Sequence, residues 1–422
     1  MPLSRRELLT AGATLVAFRD ETLDLTERAL SLFGSRIEAE DEDFWAQIQQ
    51  AFDLDRNIVN FNNGGCSPSP RIVQQVLKRQ IEFSNQAPSD FMWRILEPEV
   101  ESVRQRLAAL FGCDTEEMAI TRNASESLET LLLGLPMQAG DEILTTRLDY
   151  PRMHTTIDQR CRREGLKKVT VDAPVAPANR NDLLKSFEQG MTARTKMILV
   201  SQVSFMNGQI FPVGDVVKLG RKHGIPVVVD GAHAFVQYKF DNHDLGCDYY
   251  GSSLHKWLMA PIGTGFLYVR KPLIEGVWPL MAADVTRDKD IRKFEEIGTH
   301  PAANHNAIGE ALTFHDMIGM ERKEARLRYL RRRWTDKVVN EPKIRFFTNL
   351  DRSQSCALTT VGIAGIKTAD LASWLRSKHN IFVTAIVNDF IDGIRVSPNV
   401  YTTLQEVDRF AAAMVTACRE GI

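Results

Sequence analysis

Between residues 118 and 269 the chain keeps returning to short runs of β-branched and other apolar residues, each separated from the next by polar or helix-spaced sequence. The runs are MAIT (118–121), EILTT (142–146), KKVTV (167–171), KMILV (196–200), PVVVD (226–230), CDYYG (247–251) and GFLYV (265–269). A strand apolar along most of its length has to be covered on both faces, and intervening helices supply the crossovers that parallel pairing demands. The alternation predicts an α/β fold with a mostly parallel seven-stranded sheet covered by helices. In such sheets ligands collect beyond the carboxyl ends of the strands, where helix amino termini also point. The polar residues that follow each run are where chemistry is to be sought.

The pattern changes on either side of this region. Residues 304–422 read as long helices with strand-like runs at CALTTVGI (356–363) and GIRVS (393–397), a smaller α/β domain beside a large one spanning 61–303. Upstream, 21–60 are charged and periodic and read as helices, and a turn rich in Asn, Gly, Ser and Pro follows at 62–68. Within 1–20, Ser4-Arg5-Arg6-Glu7-Leu8-Leu9 precedes an uncharged run to Phe18 and looks like a twin-arginine export signal, implying a folded protein sent to the periplasm. The apolar run is short and no A-x-A site follows it, so a plain amphipathic tail on a cytoplasmic protein is the other reading.

Charge narrows the partners. A net charge of −2 gives no reason to expect nucleic acid or an anionic membrane, and no stretch approaches the ~20 apolar residues of a span. The densest basic stretch, 321–334 (ERKEARLRYLRRRW), has leucines at helical spacing and reads as a long solvated helix. The six cysteines are scattered, without C-x-x-C pairs, and imply neither a disulfide framework nor a zinc site. His300 and His305, with Pro301 between them, are poorly placed to share a helical face and bind a metal.

Three segments at predicted strand ends carry chemistry together. Lys256, in Ser252-Ser253-Leu254-His255-Lys256-Trp257, stands where an amine can form an imine with an aldehyde cofactor. Asp230 closes PVVVD and can pair with a protonated pyridine nitrogen. At Thr121-Arg122-Asn123-Ala124-Ser125-Glu126 a strand gives way to a helix whose first N–H groups are free to hold a phosphate. Each has a bland counterpart, a surface lysine, a capping aspartate and an ordinary helix start. Their conjunction, in chain order, is the signal.

These residues resemble those of fold-type I pyridoxal 5′-phosphate enzymes of the class V aminotransferase group, and most closely its isopenicillin N epimerase-like branch. The likeness runs from about Phe61 to Val407 through N-N-G-G, T-R-N-A-S-E-S, D-Y-P, V-D-G-A-H, S-L-H-K-W, G-T-G-F-L-Y-V, E-I-G-T and R-V-S-P-N-V-Y. It implies a Schiff base on Lys256, a ring-nitrogen carboxylate in Asp230 and a ring-hydroxyl contact in His233. It further implies phosphate contacts from Ala124, Ser125, Ser253 and His255, with Thr299 reaching across from the second subunit of a homodimer. Tyr150 falls where the family stacks a ring on the cofactor. Arg395 falls where an arginine takes the α-carboxylate of an amino-acid substrate, and Asn62 and Asn63 on the substrate side. Two departures bear on the reaction. The stretch 382–390, where cysteine desulfurases carry their nucleophile, has no cysteine, and Phe205 stands where they carry an asparagine.

The expected activity is pyridoxal phosphate chemistry at an α-carbon. Lys256 can move a proton on one face, whereas an epimerase needs a second donor opposite, and a phenol of ordinary pKa near ~10 is a poor base at neutral pH. Transamination or β-elimination of the C–S lyase type is therefore expected ahead of epimerisation. An inactive cofactor-binding scaffold is the reading from another class, and the intact Lys256, Asp230 and Arg395 argue against it.

Overall fold

The computed structural model describes residues 39–422, so the export-signal reading of 1–20 and residues 21–38 of the 21–60 stretch lie outside the described residues. The first described helix is α1 (Glu42–Gln50). Asp41 caps it by accepting from the Phe44 N–H, Glu42 and Asp43 put negative charge at its positive end, and Phe44, Trp45 and Ile48 form its buried stripe.

The seven runs become β1 (Met118–Thr121), β2 (Glu142–Thr146), β3 (Lys167–Val171), β4 (Thr195–Ser201), β5 (Val227–Asp230), β6 (Tyr249–Ser253) and β7 (Gly265–Val269), in the order β1-β7-β6-β5-β4-β2-β3. From β3 to β6 every pairing is parallel, and only β7 runs against its neighbours β6 and β1. Residues of β1, β2, β5, β6 and β7 are buried throughout, as a doubly covered sheet requires, while the edge strand β3 keeps Lys167 and Thr170 exposed. β6 lies two residues later than the run 247–251 suggested. Ser252 and Ser253 pair with Phe266 and Gly265, and this pairing carries Ser253 to the very end of the strand.

Helices α2 (Ala124–Gly134) and α3 (Pro151–Glu164) begin just beyond β1 and β2, which points their amino termini at the carboxyl edge of the sheet. After the sheet come α4 (Ile308–Ile318) and α5 (Met320–Val338), then an antiparallel sheet of β8 (Ile344–Phe346), β9 (Thr359–Ile363), β10 (Thr384–Val387) and β11 (Asp392–Val396) in the order β10-β11-β9-β8. Its core holds Trp334 of α5, Val361, Ile394 and, from α6 (Leu404–Glu420), Phe410 and Met414. Val59 and Phe61 pack into this same core. Val59–Asn60 pair in parallel with Ile381–Phe382 and Asn62 bridges to Ser397, so the N-N-G-G segment is stitched to the small sheet.

The basic stretch 321–334 does lie in a helix, but α5 is solvated on one side only. Lys323, Arg326, Leu327, Leu330 and Trp334 are buried, Arg326 by pairing with Glu42 of α1, because the helix is packed between α1 and the body. Trp45, Trp257 and Trp334 are fully enclosed, and removing ~200 Å² of each from water contributes on the order of 5 kcal/mol before entropy is counted. His300 precedes the helix that carries His305, as Pro301 implied, although the two rings come within 5.3 Å. No described helix is long and apolar enough to cross a membrane.

Candidate active site

A cavity of about 780 Å³ opens at the carboxyl edge of the large sheet and is closed on its far side by β10 and β11. Ser201, Asp230 and Ser253 are the last residues of β4, β5 and β6, so three neighbouring strands deliver their terminal side chains into it. Tyr150, Ala124, Ser125, His233, His255, Lys256 and Arg395 also line it. Residues spread over 270 positions of sequence thus meet in one place because the switch in strand order leaves a crevice there.

Lys256 lies at the cavity floor with Nζ 3.2 Å from Nε2 of His233. Burial pushes its pKa down to about 8; the Asp230 charge opposes that shift and the Arg395 charge adds to it. An amine so placed is neutral near physiological pH in a far larger fraction than a lysine in water, and the neutral form is the one that attacks a carbonyl. Asp230 is the converse. Burial lifts its carboxyl to about 6 against the Ala232 N–H, which donates to Oδ1 at 2.9 Å, and against the Lys256 charge. Among the described residues no ion pair satisfies this carboxylate. His233 is held well below its ordinary range by burial and by Lys256 and Arg395, and its Nδ1 is buried without a partner.

At the other end of the cavity Asn123 caps α2, its Oδ1 accepting from the Glu126 N–H at 2.9 Å. Ser253 Oγ takes the Ala124 N–H at 2.9 Å, and Glu126 is engaged by the Arg122 backbone and side chain. Gly265 packs against Asn123 so closely that a Cβ there would lie 2.6 Å from its Cα, which lets the helix start meet the sheet. His255, its pKa lowered to about 4 chiefly by burial, is neutral and sits 3.2 Å through Nδ1 from Thr264 O.

Arg395 is fixed before any substrate arrives. Nη1 donates to Phe205 O at 2.9 Å and Nη2 to Asn62 Oδ1 at 2.7 Å, while Nε is buried without a partner. Burial lowers even this guanidinium to about 10, so an anion entering here replaces lost hydration. Tyr150 precedes Pro151 at the start of α3 and meets the Phe205 ring edge-on at 5.1 Å. Its position is set by a residue that sequence reasoning passed over. Asp149, buried, accepts from Thr145 Oγ1, Thr146 N and Oγ1, and Ser201 N and Oγ, at 2.7–3.0 Å. The D-Y-P motif was the available signal, with the aspartate read only as Tyr150's neighbour.

Three expected residues do not line the cavity. Asn63 does not face the cavity: its amide donates to Asn60 O and Ser397 O and its oxygen accepts from Tyr401 Oη at 2.6 Å, so the side chain is spent on joining the loop to the small sheet. Asn62 acts at one remove, through Arg395. Thr299 is exposed and outside the cavity of its own chain. Where a nucleophilic cysteine was absent from 382–390, Thr384 and Ile386 line the wall. Cys66, the thiol that feels the Lys256 charge, has its pKa raised by burial and lines a separate recess behind the 62–68 turn.

The donor set suits pyridoxal phosphate. A buried carboxylate without a salt-bridge partner calls for a protonated ring nitrogen, a buried amine of lowered pKa for an aldehyde, and a capped helix start flanked by serines for a phosphate.

Comparison with known proteins gives the same reading. A family model described as Aminotransferase class-V matches residues 59–410. The isopenicillin N epimerase of Streptomyces clavuligerus is 27% identical over 387 residues, 88% of this chain and 97% of that one. The hercynylcysteine sulfoxide lyase of Schizosaccharomyces pombe is 28% identical over 297 residues, 68% and 75% of the two chains. Among solved structures, the apo cysteine desulfurase of Thermococcus onnurineus NA1 superposes with a TM-score of 0.76 at 22% identity, covering 92% of this chain and 99% of that one.

Proposed function

Because the chain belongs to the class V aminotransferase family of pyridoxal-phosphate-dependent enzymes, we propose that it catalyses transamination or β-elimination of an amino acid at this cavity. Bound pyridoxal phosphate supplies the electron sink that makes a substrate's α-proton acidic. Asp230 would hold the ring nitrogen protonated, Ser253, His255 and the Ala124–Ser125 helix start would take the phosphate, and Lys256 would hold the aldehyde carbon. Arg395 receives the substrate carboxylate and so fixes which bond at Cα faces Lys256. Once the substrate's own amine has displaced it from the aldehyde carbon, the freed Lys256 amine would remove the α-proton as general base, its pKa of about 8 suited to taking and returning it near neutral pH.

The observation that carries the choice of reaction is the asymmetry of the two sides. Lys256 Nζ lies 3.2 Å from His233, the Tyr150 and Phe205 rings also border the cavity, and the family likeness puts Tyr150 over the cofactor face opposite Lys256. One-sided proton transfer needs only Lys256. Epimerisation is the second reading, favoured by the likeness to isopenicillin N epimerases, and it would require Tyr150 as the opposite donor. Turnover of amino acids in D₂O separates them. Keto acid, pyruvate or pyridoxamine phosphate is the expected product; deuterium at Cα of both enantiomers without any of these establishes the epimerase.

The same reading includes a homodimer with shared sites. Trp278, Ile262 and Val285 are 73–75% exposed, beside Leu280 and Met281, and Leu280 lines the cavity mouth. Such an apolar surface supports burial against a second copy, with Thr299 supplied to the partner's phosphate site. Sedimentation of the active protein as a monomer would overturn this. Export through Arg5 and Arg6 belongs to the same proposal and is tested by loss of periplasmic protein on Arg5→Lys/Arg6→Lys substitution.

A further inference from the structure

Lys256 is carried by neither a strand nor a helix but by residues 254–264, the loop from β6 to β7. The loop has little backbone pairing of its own: the Leu254 N–H donates to Thr264 O at 2.9 Å and the Ala260 N–H to Leu254 O at 3.1 Å. Met259, fully buried, holds a left-handed φ of 62°, a conformation that persists in a non-glycine residue only when the surroundings impose it. Those surroundings reach in at four carbonyls, Ile262 O accepting from Asn304 Nδ2 at 3.5 Å and three others more closely. His255 O accepts from the Ser67 N–H at 2.9 Å, Ala260 O from Ser69 Oγ at 3.1 Å, and Trp257 O from Nζ of Lys323.

Lys323 is the unusual member. It lies on the first turn of α5, 66 positions from Trp257, and no part of it is exposed. The Trp257 carbonyl is its hydrogen-bond partner, and among the described residues it forms no salt bridge. Burial alone lowers its pKa to about 7. The titratable group facing it from α4 is His315, buried and held well below its ordinary range by burial and by the Lys323 charge, so no carboxylate compensates. A methionine would fill this place without the desolvation penalty. What only a donor can do here is hold the carbonyl next to Lys256. One turn along the same helix Arg326 pairs with Glu42 and lies over Trp45, which anchors α5 against α1.

We propose that Lys323 is a positioning residue, whose ammonium grips the Trp257 carbonyl and thereby aims Lys256 at the cofactor. This rests on the reading that Lys256 carries pyridoxal phosphate, and the two are tested separately. Borohydride reduction of the holoenzyme followed by peptide mapping decides the first: cofactor fixed to Lys256 sustains it, cofactor fixed elsewhere removes the basis of both. The Lys323→Met holoenzyme then decides the second, through the rate of cofactor release and the visible circular dichroism per unit absorbance, which reports how the ring is held. Release about tenfold faster and a changed dichroism ratio are expected, with a melting temperature within a few degrees of the parent. Unchanged release and dichroism in a folded Lys323→Met protein overturn the proposal. Should Lys323→Met not accumulate, Lys323→Leu, which likewise removes the donor, is read by the same two measurements against the same criteria. If neither variant folds, Lys323 is a structural residue and the positioning role is rejected.

Discussion

Replacing Asp230 with asparagine should make the cofactor-free protein more stable and the loaded enzyme far less able. The carboxyl is buried at the end of β5 and has moved from its ordinary 3.8 to about 6, burial outweighing the Ala232 N–H and the Lys256 charge. At about 1.4 kcal/mol per tenfold change in the proton equilibrium, the ionised form carries roughly 3 kcal/mol of unfavourable free energy in the folded chain. The sign follows from proton counting. Between about pH 4 and pH 6 the folded state binds more protons than the unfolded one, so wild-type stability falls as pH rises through that window and the cost is complete above pH 6. Asp230→Asn removes it, and the amide oxygen can still accept from Ala232. Apo Asp230→Asn should therefore melt higher than apo wild type at pH 8, by about 3 °C if a chain of this size gains ~1 °C per kcal/mol, and equal it near pH 4. With cofactor bound the order reverses, because the ring nitrogen loses its anion. Exchange of a substrate's α-proton, followed by NMR in D₂O, should slow by a factor on the order of 10²–10³, the usual cost of removing one such electrostatic partner. An apo variant that melts no higher than wild type at pH 8, or a loaded variant with unchanged exchange, would refute the assignment.

Arg395→Met should leave cofactor binding intact and lower kcat/KM by roughly 10²–10³, since the guanidinium held by Phe205 O and Asn62 that would pair with the substrate carboxylate is lost; steady-state kinetics on any accepted substrate checks it, and an unchanged kcat/KM contradicts the role. Asp149→Ala strands the Thr145, Thr146 and Ser201 donors in a buried site and should cost about 3–5 kcal/mol in urea unfolding, where a cost below ~1 kcal/mol argues that water replaces the carboxylate. Cofactor uptake by the apo protein should accelerate as pH rises through about 8, because Lys256 is charged below that value and neutral above it; stopped-flow absorbance from pH 6.5 to 9.5 shows either that rise or a flat profile that rules it out.

What the sequence determined by itself is what depends on neighbours along the chain. Strand period, helix starts and the residue that closes each strand are local, so the seven-stranded sheet, Asp230 at the end of β5 and the helix start that follows β1 could be read without coordinates. Lys256 and Arg395 needed the family resemblance as well, because a lysine in a loop and an arginine in a strand have no local mark of function. Tertiary structure decided whatever depends on partners far away in sequence. Arg395 is held by Asn62, 333 positions distant, and Asn63, its neighbour in the same motif, is turned away by Tyr401 and Ser397. The basic run of α5 looked solvated because charge is normally hydrated, yet packing closed over Lys323 and Arg326, leaving Lys323 the Trp257 carbonyl and Arg326 the Glu42 carboxylate and the Ala39 carbonyl. Burial also moved the titrations toward neutral pH: removal from solvent at one cavity brings Lys256 down to about 8 and Asp230 up to about 6.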